Sequence, residues 1–233
     1  MSEGEFEKKA HISRRMIGDV DIFDLFGDIT DEKIEEVASY LKAYIQNAPV
    51  NYVILNCEEV ESCDLEKLAS LLSSVKNVKK SSLYLNNNRL SGLLDSAETV
   101  VQHDICKTQR EIIREFGPAL VSSRKNGLDR RADKRFDSAV QIDLIFKNKE
   151  GEVVLENSGI ITNMSDGGIF VEYLELLSSK KLAALNCLKG LSVELKNKEI
   201  FDGEMSDLGE IVRTELTGNQ MALAIKFEKS PSI

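Results

Sequence analysis

The 233-residue sequence has no excess of basic residues and no long apolar run. Aspartate and glutamate number 39 against 30 lysines and arginines, which gives a formal net charge of −9. Sequence-independent binding to a nucleic acid polymer depends on neutralising phosphates with basic side chains, so this charge argues against that class of protein. A membrane-spanning helix needs about 20 consecutive apolar residues. Since the sequence contains no such run, we expect no membrane span.

The sequence also lacks the residue clusters that enzymes and metal sites use. Its two histidines, His11 and His103, are far apart and have no cysteine or carboxylate motif beside them. No P-loop and no dinucleotide-binding fingerprint is present. The acidic residues Glu58, Glu59 and Glu61 are interpreted as a charged loop, because catalytic carboxylates need environments that drive their pKa values apart. We therefore predict a protein that is not an enzyme and uses no cofactor or metal.

Cysteine usage and the N-terminal sequence bear on the cellular compartment. The first ten residues, 1–10, are charged and lack the apolar stretch of a secretory signal peptide. The four cysteines form no CxxC pair and have no metal-ligand spacing, which is typical of buried thiols in a reducing compartment. These cysteines are Cys57, Cys63, Cys106 and Cys187. The sequence thus predicts a cytoplasmic protein.

The first 117 residues alternate between strand and helix patterns. Strands are predicted at 20–27, 50–55 and 83–85, with helices beginning at Asp31 and Asp64. A last helix is predicted over 104–116, with three apolar side chains turned inward: Ile105, Ile112 and Phe116. This helix is expected to end at Gly117-Pro118, because proline disfavours helix at the residue before it. We predict an α/β layer domain over 1–117 and a linker over 118–129.

The hydrophobic period changes in the remainder, 130–233. Apolar and polar residues alternate over 140–147, 191–196 and 221–228, as in strands with one buried face. Turn-forming residues separate these segments at 149–151, 166–168 and 217–219. Several short strands in about 100 residues favour a small antiparallel barrel. The segment 173–188 has a helical pattern and is interpreted as a helical insertion between strands.

A basic cluster opens this second domain. Between Arg124 and Arg135 there are six basic and two acidic residues, a local charge of +4 in an acidic protein. One interpretation is a solvated charge run. The other is an anion site around Arg130, Arg131 and Arg135, because the forked guanidinium suits bidentate contacts to phosphate and to the O6/N7 edge of guanine.

A polar turn, Asn163 to Gly168, lies between two apolar segments. Asparagine, serine and glycine favour turns between strands, which is the simplest interpretation. The same residues would also make a polar concave site. Asn163 offers an amide, Ser165 offers a hydroxyl, and Gly167 and Gly168 let the backbone approach a ligand closely.

Together these two motifs resemble the paired signature of the PilZ family. Arg131-xxx-Arg135 is followed 28 positions later by Asn163-x-Ser165-xx-Gly168, so all five signature positions are filled. The resemblance implies a six-stranded antiparallel β-barrel that binds the bacterial second messenger cyclic di-GMP. It implies that the two arginines hold phosphate oxygens and the Hoogsteen edge of guanine. Asn163 would bind the guanine edge, Ser165 a phosphate or the turn backbone, and Gly168 would permit the turn.

The resemblance also has an implication for stoichiometry. In the family, a large or basic residue just before the first signature arginine accompanies binding of a stacked pair of ligand molecules. Arg130 occupies that position here. The hypothesis is therefore a ligand dimer.

The order of strands and helices in 1–117 resembles a STAS domain, the fold of anti-sigma-factor antagonists. Asp64 and Leu68 match the family's switch segment, but Leu65 stands where its phosphorylated serine would be and Lys67 replaces a glycine. We therefore expect no phosphorylation cycle at this segment. The domain would present a surface to a protein partner, or serve as a spacer or dimerisation domain.

Three functional hypotheses follow. The first is a bacterial cyclic di-GMP effector in second-messenger signalling, for example in motility or biofilm control, whose STAS-like domain relays ligand binding to a partner. The second is a partner-switching regulator with a passive PilZ-like barrel. The third is a ligand-independent adaptor that uses both domains for docking. The complete five-residue signature favours the first.

Overall fold

The computed structural model describes residues 12–29, 31–63, 65–86, 90, 105–121, 139–165, 167–174, 191–197, 207–217 and 220–228. The chain divides into two compact units, Met1–Phe116 and Gly117–Ile233, called here the N-terminal unit and the barrel unit. Among the helices of the described residues, none is both long enough and apolar enough to cross a membrane.

The N-terminal unit contains a five-stranded sheet in the order β1-β2-β3-β4-β5. β1 and β2 are antiparallel, and the other neighbouring pairs are parallel. The strands are β1 (Ile12–Ile17), β2 (Val20–Asp28), β3 (Tyr52–Ser62), β4 (Lys80–Tyr84) and β5 (Ile105–Cys106). The helices are α1 (Asp31–Asn47), α2 (Leu65–Ser74) and α3 (Gln109–Val121), and the last five residues of α3 belong to the barrel unit. This confirms the predicted mixed α/β fold and the helix beginning at Asp31.

The core of this unit forms where α1 and α2 pack on the sheet. Leu41 of α1 and Leu68 of α2 are fully buried in one cluster with Phe23 and Leu55 of the central strands. The two helical side chains belong to the apolar stripe that the sequence period predicts. Burying a leucine or phenylalanine fully stabilises a fold by about 1.5–3 kcal/mol. The hydrophobic period thus determines which helix faces cover the sheet.

The last helix differs from its prediction at both ends. Ile105, predicted to be helical, lies in the short strand β5, which pairs with β4, and α3 begins only at Gln109. α3 then continues through Gly117 and Pro118 to Val121, where we expected it to end. Proline removes one helical hydrogen bond, but Leu120 in the following turn is only 1 % exposed. Packing of this turn offsets the lost bond. The predicted linker over 118–129 therefore begins inside a helix, and 122–129 lie outside the described residues.

A buried polar cluster lies within the same sheet. Arg15 of β1 donates from Nε to Oδ2 of Asp24 at 2.7 Å and from Nη2 to Oδ1 at 3.0 Å. Asn56 of β3 donates to Asp24 Oδ1 at 2.8 Å. The side chains of Arg15 and Asp24 are only 6 % and 1 % exposed. A charge this deeply buried requires a hydrogen-bonded partner, so the cluster fixes the pairing of three adjacent strands.

The barrel unit contains a closed barrel of six antiparallel strands in the order β10-β11-β8-β7-β6-β9. The strands are β6 (Val140–Lys147), β7 (Val153–Ser165), β8 (Gly168–Glu172), β9 (Ser192–Lys196), β10 (Asp207–Thr217) and β11 (Gln220–Phe227). This confirms the predicted six-stranded antiparallel barrel. Ile142, Leu144 and Phe146 are fully buried in its interior, as their two-residue period predicts.

Two strand segments of the barrel unit were not predicted from the sequence, and most of the predicted helical insertion lies outside the described residues. The 11-residue β10 and the first half of β7 follow no alternating pattern strong enough to predict them. Tyr173 and Leu174, at the start of the predicted helical insertion, follow β8 and are buried. The rest of that prediction, 175–188, lies outside the described residues.

Candidate functional site

The polar turn predicted from the sequence joins β7 and β8 at one end of the barrel. Ser165 ends β7 and pairs with Gly168, the first residue of β8. Asn163 is exposed and Ser165 is half-buried, whereas Met164 between them belongs to the barrel core. The amide of Asn163 and the hydroxyl of Ser165 therefore lie on the outer surface. Asp166 lies outside the described residues.

A β-bulge in β7 is responsible for this orientation. The register of β7 against β8 shifts between Ile161 and Asn163, which leaves Thr162 as the extra residue. Ile161 and Met164 both lie in the barrel core, three positions apart. Without the bulge, Asn163 would lie on the same side as Ile161, inside the barrel, because a one-residue shift exchanges the two faces of a strand. The bulge thus brings Asn163 and Ser165 to the surface.

The bulge has its own polar anchor. Thr162 donates from its hydroxyl to Oε2 of Glu172 at 2.7 Å, and Glu172 is only 3 % exposed. A buried carboxylate is costly unless it accepts hydrogen bonds. Next to it, burial raises the pKa of the Tyr173 phenol well above its ordinary value. The hydrogen bond between Thr162 and Glu172 thus joins the bulge of β7 to the far end of β8.

The two glycines of the turn have different surroundings. A Cβ atom on Gly168 would lie 3.1 Å from the carbonyl carbon of Ile225 and from Cα of Lys226, and closer still to the Ile225 carbonyl oxygen. A Cβ atom on Gly167 would meet nothing nearer than Ser165 Oγ, at 3.9 Å. Gly168 is thus required by the close approach of β11. Gly167 contributes its carbonyl oxygen, which accepts a hydrogen bond from Phe227 N at 3.0 Å.

The strand register extends the outer face beyond the turn. Asn163, Phe170, Ala224 and Arg213 pair in succession across β7, β8, β11 and β10. A second row, beside the first, runs through Ser165, Gly168, Lys226 and Glu210. These two rows are called here the outer face. Neighbouring strands lie about 4.8 Å apart, so each row spans roughly 14 Å.

The outer face carries a cation against an aromatic ring. The guanidinium carbon of Arg213 lies 5.9 Å from the centroid of the Phe170 ring. Arg213 Nη2 also contacts Glu215 Oε1 at 2.8 Å, and 63 % of the arginine side chain is exposed. Lys226 places a second cation opposite Gly168. The two cations are balanced by Glu215 and by Glu210, which pairs with Lys226. The amide, the hydroxyl, the guanidinium and the aromatic ring on one face suit a planar ligand with hydrogen-bonding edges.

Sequence reasoning missed Phe170, Arg213 and Lys226. Phe170 could have been found, because it follows Gly168 by two residues and so shares its face. Arg213 could not, because a second bulge between Ile211 and Arg213 sets which way it faces. Of the predicted site residues, the structure brings together Asn163, Ser165, Gly167 and Gly168. The other three, Arg130, Arg131 and Arg135, lie outside the described residues.

A solved structure resembles part of this chain. The structure titled the anti-sigma factor antagonist SpoIIAA in its unphosphorylated form is similar at 16 % sequence identity and a TM-score of 0.34. The similarity covers 45 % of this chain and 94 % of that one. No protein-family model and no curated protein matches the chain.

Proposed function

We propose that this protein is a cytoplasmic, non-enzymatic effector that binds cyclic di-GMP on the outer face of its barrel. The N-terminal, STAS-like domain would relay binding to a protein partner. The sequence signature supports the proposal, with all five positions filled from Arg131 to Gly168. The structure contributes a closed barrel of the strand number that the PilZ resemblance implies.

The observation that carries the proposal is the orientation of the second motif. The bulge at Thr162 turns Asn163 and Ser165 outward. In the same turn, the backbone of β11 leaves no room for a side chain at Gly168. An ordinary connecting turn needs neither a bulge nor a glycine under backbone contact. A ligand site on this face would use both, because the bulge turns two polar side chains outward together and the glycine keeps the backbone low between them.

The proposed roles combine charge and directional hydrogen bonds. Arg131 and Arg135 would hold the ligand's phosphates and the Hoogsteen edge of a guanine, while Asn163 binds a guanine edge. Ser165 Oγ lies 3.4 Å from the Gly168 carbonyl oxygen and would turn toward a phosphate. Hydrogen bonds to charged groups contribute about 1.5–3 kcal/mol each. Two such bonds correspond to roughly 10²- to 10⁴-fold in affinity.

The N-terminal unit supplies the output in this proposal. A ligand can shift an equilibrium between two arrangements only by its differential affinity for them. The basic segment 124–135 lies in sequence between α3 and the first barrel strand, β6, so a ligand that holds Arg131 and Arg135 would restrain this segment. The restraint would favour one presentation of the STAS-like surface to a partner.

Calorimetric titration with cyclic di-GMP tests the proposal. We expect micromolar or tighter binding by the full chain and loss of at least tenfold in affinity in Arg131→Ala/Arg135→Ala, with GTP as the control ligand. The matched control variant is Arg110→Ala/Arg114→Ala, which removes two arginines at the same spacing from α3. It should bind like the wild type.

Three results would count against the proposal or part of it. Absence of binding by the folded wild type would refute it and leave the ligand-independent adaptor. Equal losses in both double variants would show that general charge, not the signature, attracts the ligand. A stoichiometry of one ligand per chain would remove the stacked dimer predicted from Arg130.

A further inference from the structure

The contact between Arg213 and Phe170 crosses an intervening strand. Arg213 lies on β10 and Phe170 on β8, with Ala224 of β11 between them in the same row. The guanidinium nevertheless lies 5.9 Å from the ring centroid. The arginine side chain must therefore extend over β11, and it can do so because the residue beneath it has only a methyl side chain.

We propose that Arg213 and Phe170 form a stacking platform for the guanine base whose edge Asn163 binds. The inference rests on the proposed function, because it names further ligand contacts on the same face. Asn163 pairs directly with Phe170, so the two side chains leave adjacent strands about 4.8 Å apart, and one base can reach both. Arginine planes and aromatic rings are the surfaces on which proteins stack unpaired bases.

The platform is held in place before ligand binds. The Phe170 ring limits the guanidinium on one side, and Glu215 binds Nη2 at 2.8 Å on another. A side chain that is already fixed loses less conformational entropy on binding. The carboxylate of Glu215 also neutralises part of the charge of Arg213. Arg213 would therefore contribute to ligand binding through its guanidinium plane more than through its charge.

Titration of three single variants with cyclic di-GMP tests the platform. Arg213→Gln removes both the guanidinium plane and its charge, whereas Arg213→Lys removes the plane and keeps the charge. Phe170→Leu removes the ring but retains an apolar side chain. Loss of a base-stacking residue weakens binding by roughly five- to hundredfold. We expect Arg213→Lys to weaken binding nearly as much as Arg213→Gln. Arg114→Lys on α3, 72 % exposed, is the matched control and should bind like the wild type.

Two further variants separate a shared platform from independent contacts. Ala224→Leu would fill the space over which Arg213 crosses, so it should weaken binding although both platform residues remain. The double variant Phe170→Leu/Arg213→Gln should lose less than the product of the two single losses, because both residues contact one base. Hydrogen exchange of β8 and β11 peptides checks that each variant retains its barrel.

The outcomes distinguish this inference from the proposed function. Wild-type binding with unchanged affinity in all platform variants would overturn the platform alone. Full affinity in Arg213→Lys with a loss in Arg213→Gln would show that charge rather than stacking acts, and would overturn it too. Absence of binding by the wild type would overturn the proposed function, and the platform with it.

Discussion

Alanine substitution at the two adjacent glycines of the turn should destabilise the barrel by very different amounts. At Gly168 the added methyl group meets the backbone of β11, with Ile225 and Lys226 atoms at 3.1 Å or less. Backbone in a paired strand cannot rotate away as a side chain can. At Gly167 the same methyl group meets nothing within 3.9 Å. Gly167→Ala is therefore the matched control for Gly168→Ala.

The magnitude follows from the nature of the contact. Inserting a group into a closely packed site typically costs about 1–3 kcal/mol, and the upper end applies where backbone must move. Because β8 pairs with both β7 and β11 at Gly168, displacement would weaken both ladders. We expect a loss of roughly 2–3 kcal/mol for Gly168→Ala and less than about 1 kcal/mol for Gly167→Ala, as at most surface positions.

Hydrogen exchange measured by mass spectrometry is the suitable assay, because it reports on the barrel separately from the N-terminal unit. A loss of 2–3 kcal/mol corresponds to amide exchange in β8 and β11 that is roughly 30- to 150-fold faster. Peptides from β2 and β3 should keep their wild-type rates. Equal protection in the two alanine variants would refute the close-approach argument, and a larger loss at Gly167 would reverse it.

The remaining predictions concern other parts of the described chain. Asp24→Ala removes the carboxylate of the buried ion pair and should destabilise the N-terminal unit by about 3–5 kcal/mol in urea unfolding, whereas Arg114→Gln at an exposed pair should cost less than about 1 kcal/mol. A hydrogen bond from Lys147 lowers the pKa of Glu194. The stabilising contribution of Glu194 is therefore present above the ordinary glutamate pKa and lost as pH falls through the lowered value. In Glu194→Gln, the free energy of unfolding of the barrel should fall less steeply as pH is lowered. Burial raises the pKa of the Cys57 thiol, so iodoacetamide mapping should label half-buried Cys63 before Cys57, and faster labelling of Cys57 in the native protein would contradict its burial.

Much of the fold could be predicted because apolar period and burial are physically linked. Leu41 and Leu144 are buried where their spacing places them. The prediction failed where tertiary packing outweighed local preference. Proline at 118 indicates a helix end, but the buried turn that follows it keeps α3 intact. No local pattern reports on packing of that kind.

The candidate site was predictable only in part, for a different reason. The residue types at Asn163, Ser165 and Gly168 identify the turn, because those types serve turns and ligands alike. Which residues of other strands join them depends on register. Lys226 and Arg213 are separated from the turn by about 50 residues or more in sequence. Strand register is set by hydrogen bonding and bulges, which cannot be recognised from individual residue types.

The two bulges suggest how one barrel can carry different surface chemistries. The bulge at Thr162 turns Asn163 outward, and the bulge between Ile211 and Arg213 sets which residue of β10 stands beside Ala224. Both lie in strands whose other residues keep the apolar interior in register. An extra residue exchanges the two faces from the bulge onward, so at Thr162 it gives the core position to Met164 and the outer position to Asn163. The positions of the bulges therefore determine which residues lie on the polar outer face. The alternation of apolar and polar residues determines the barrel itself.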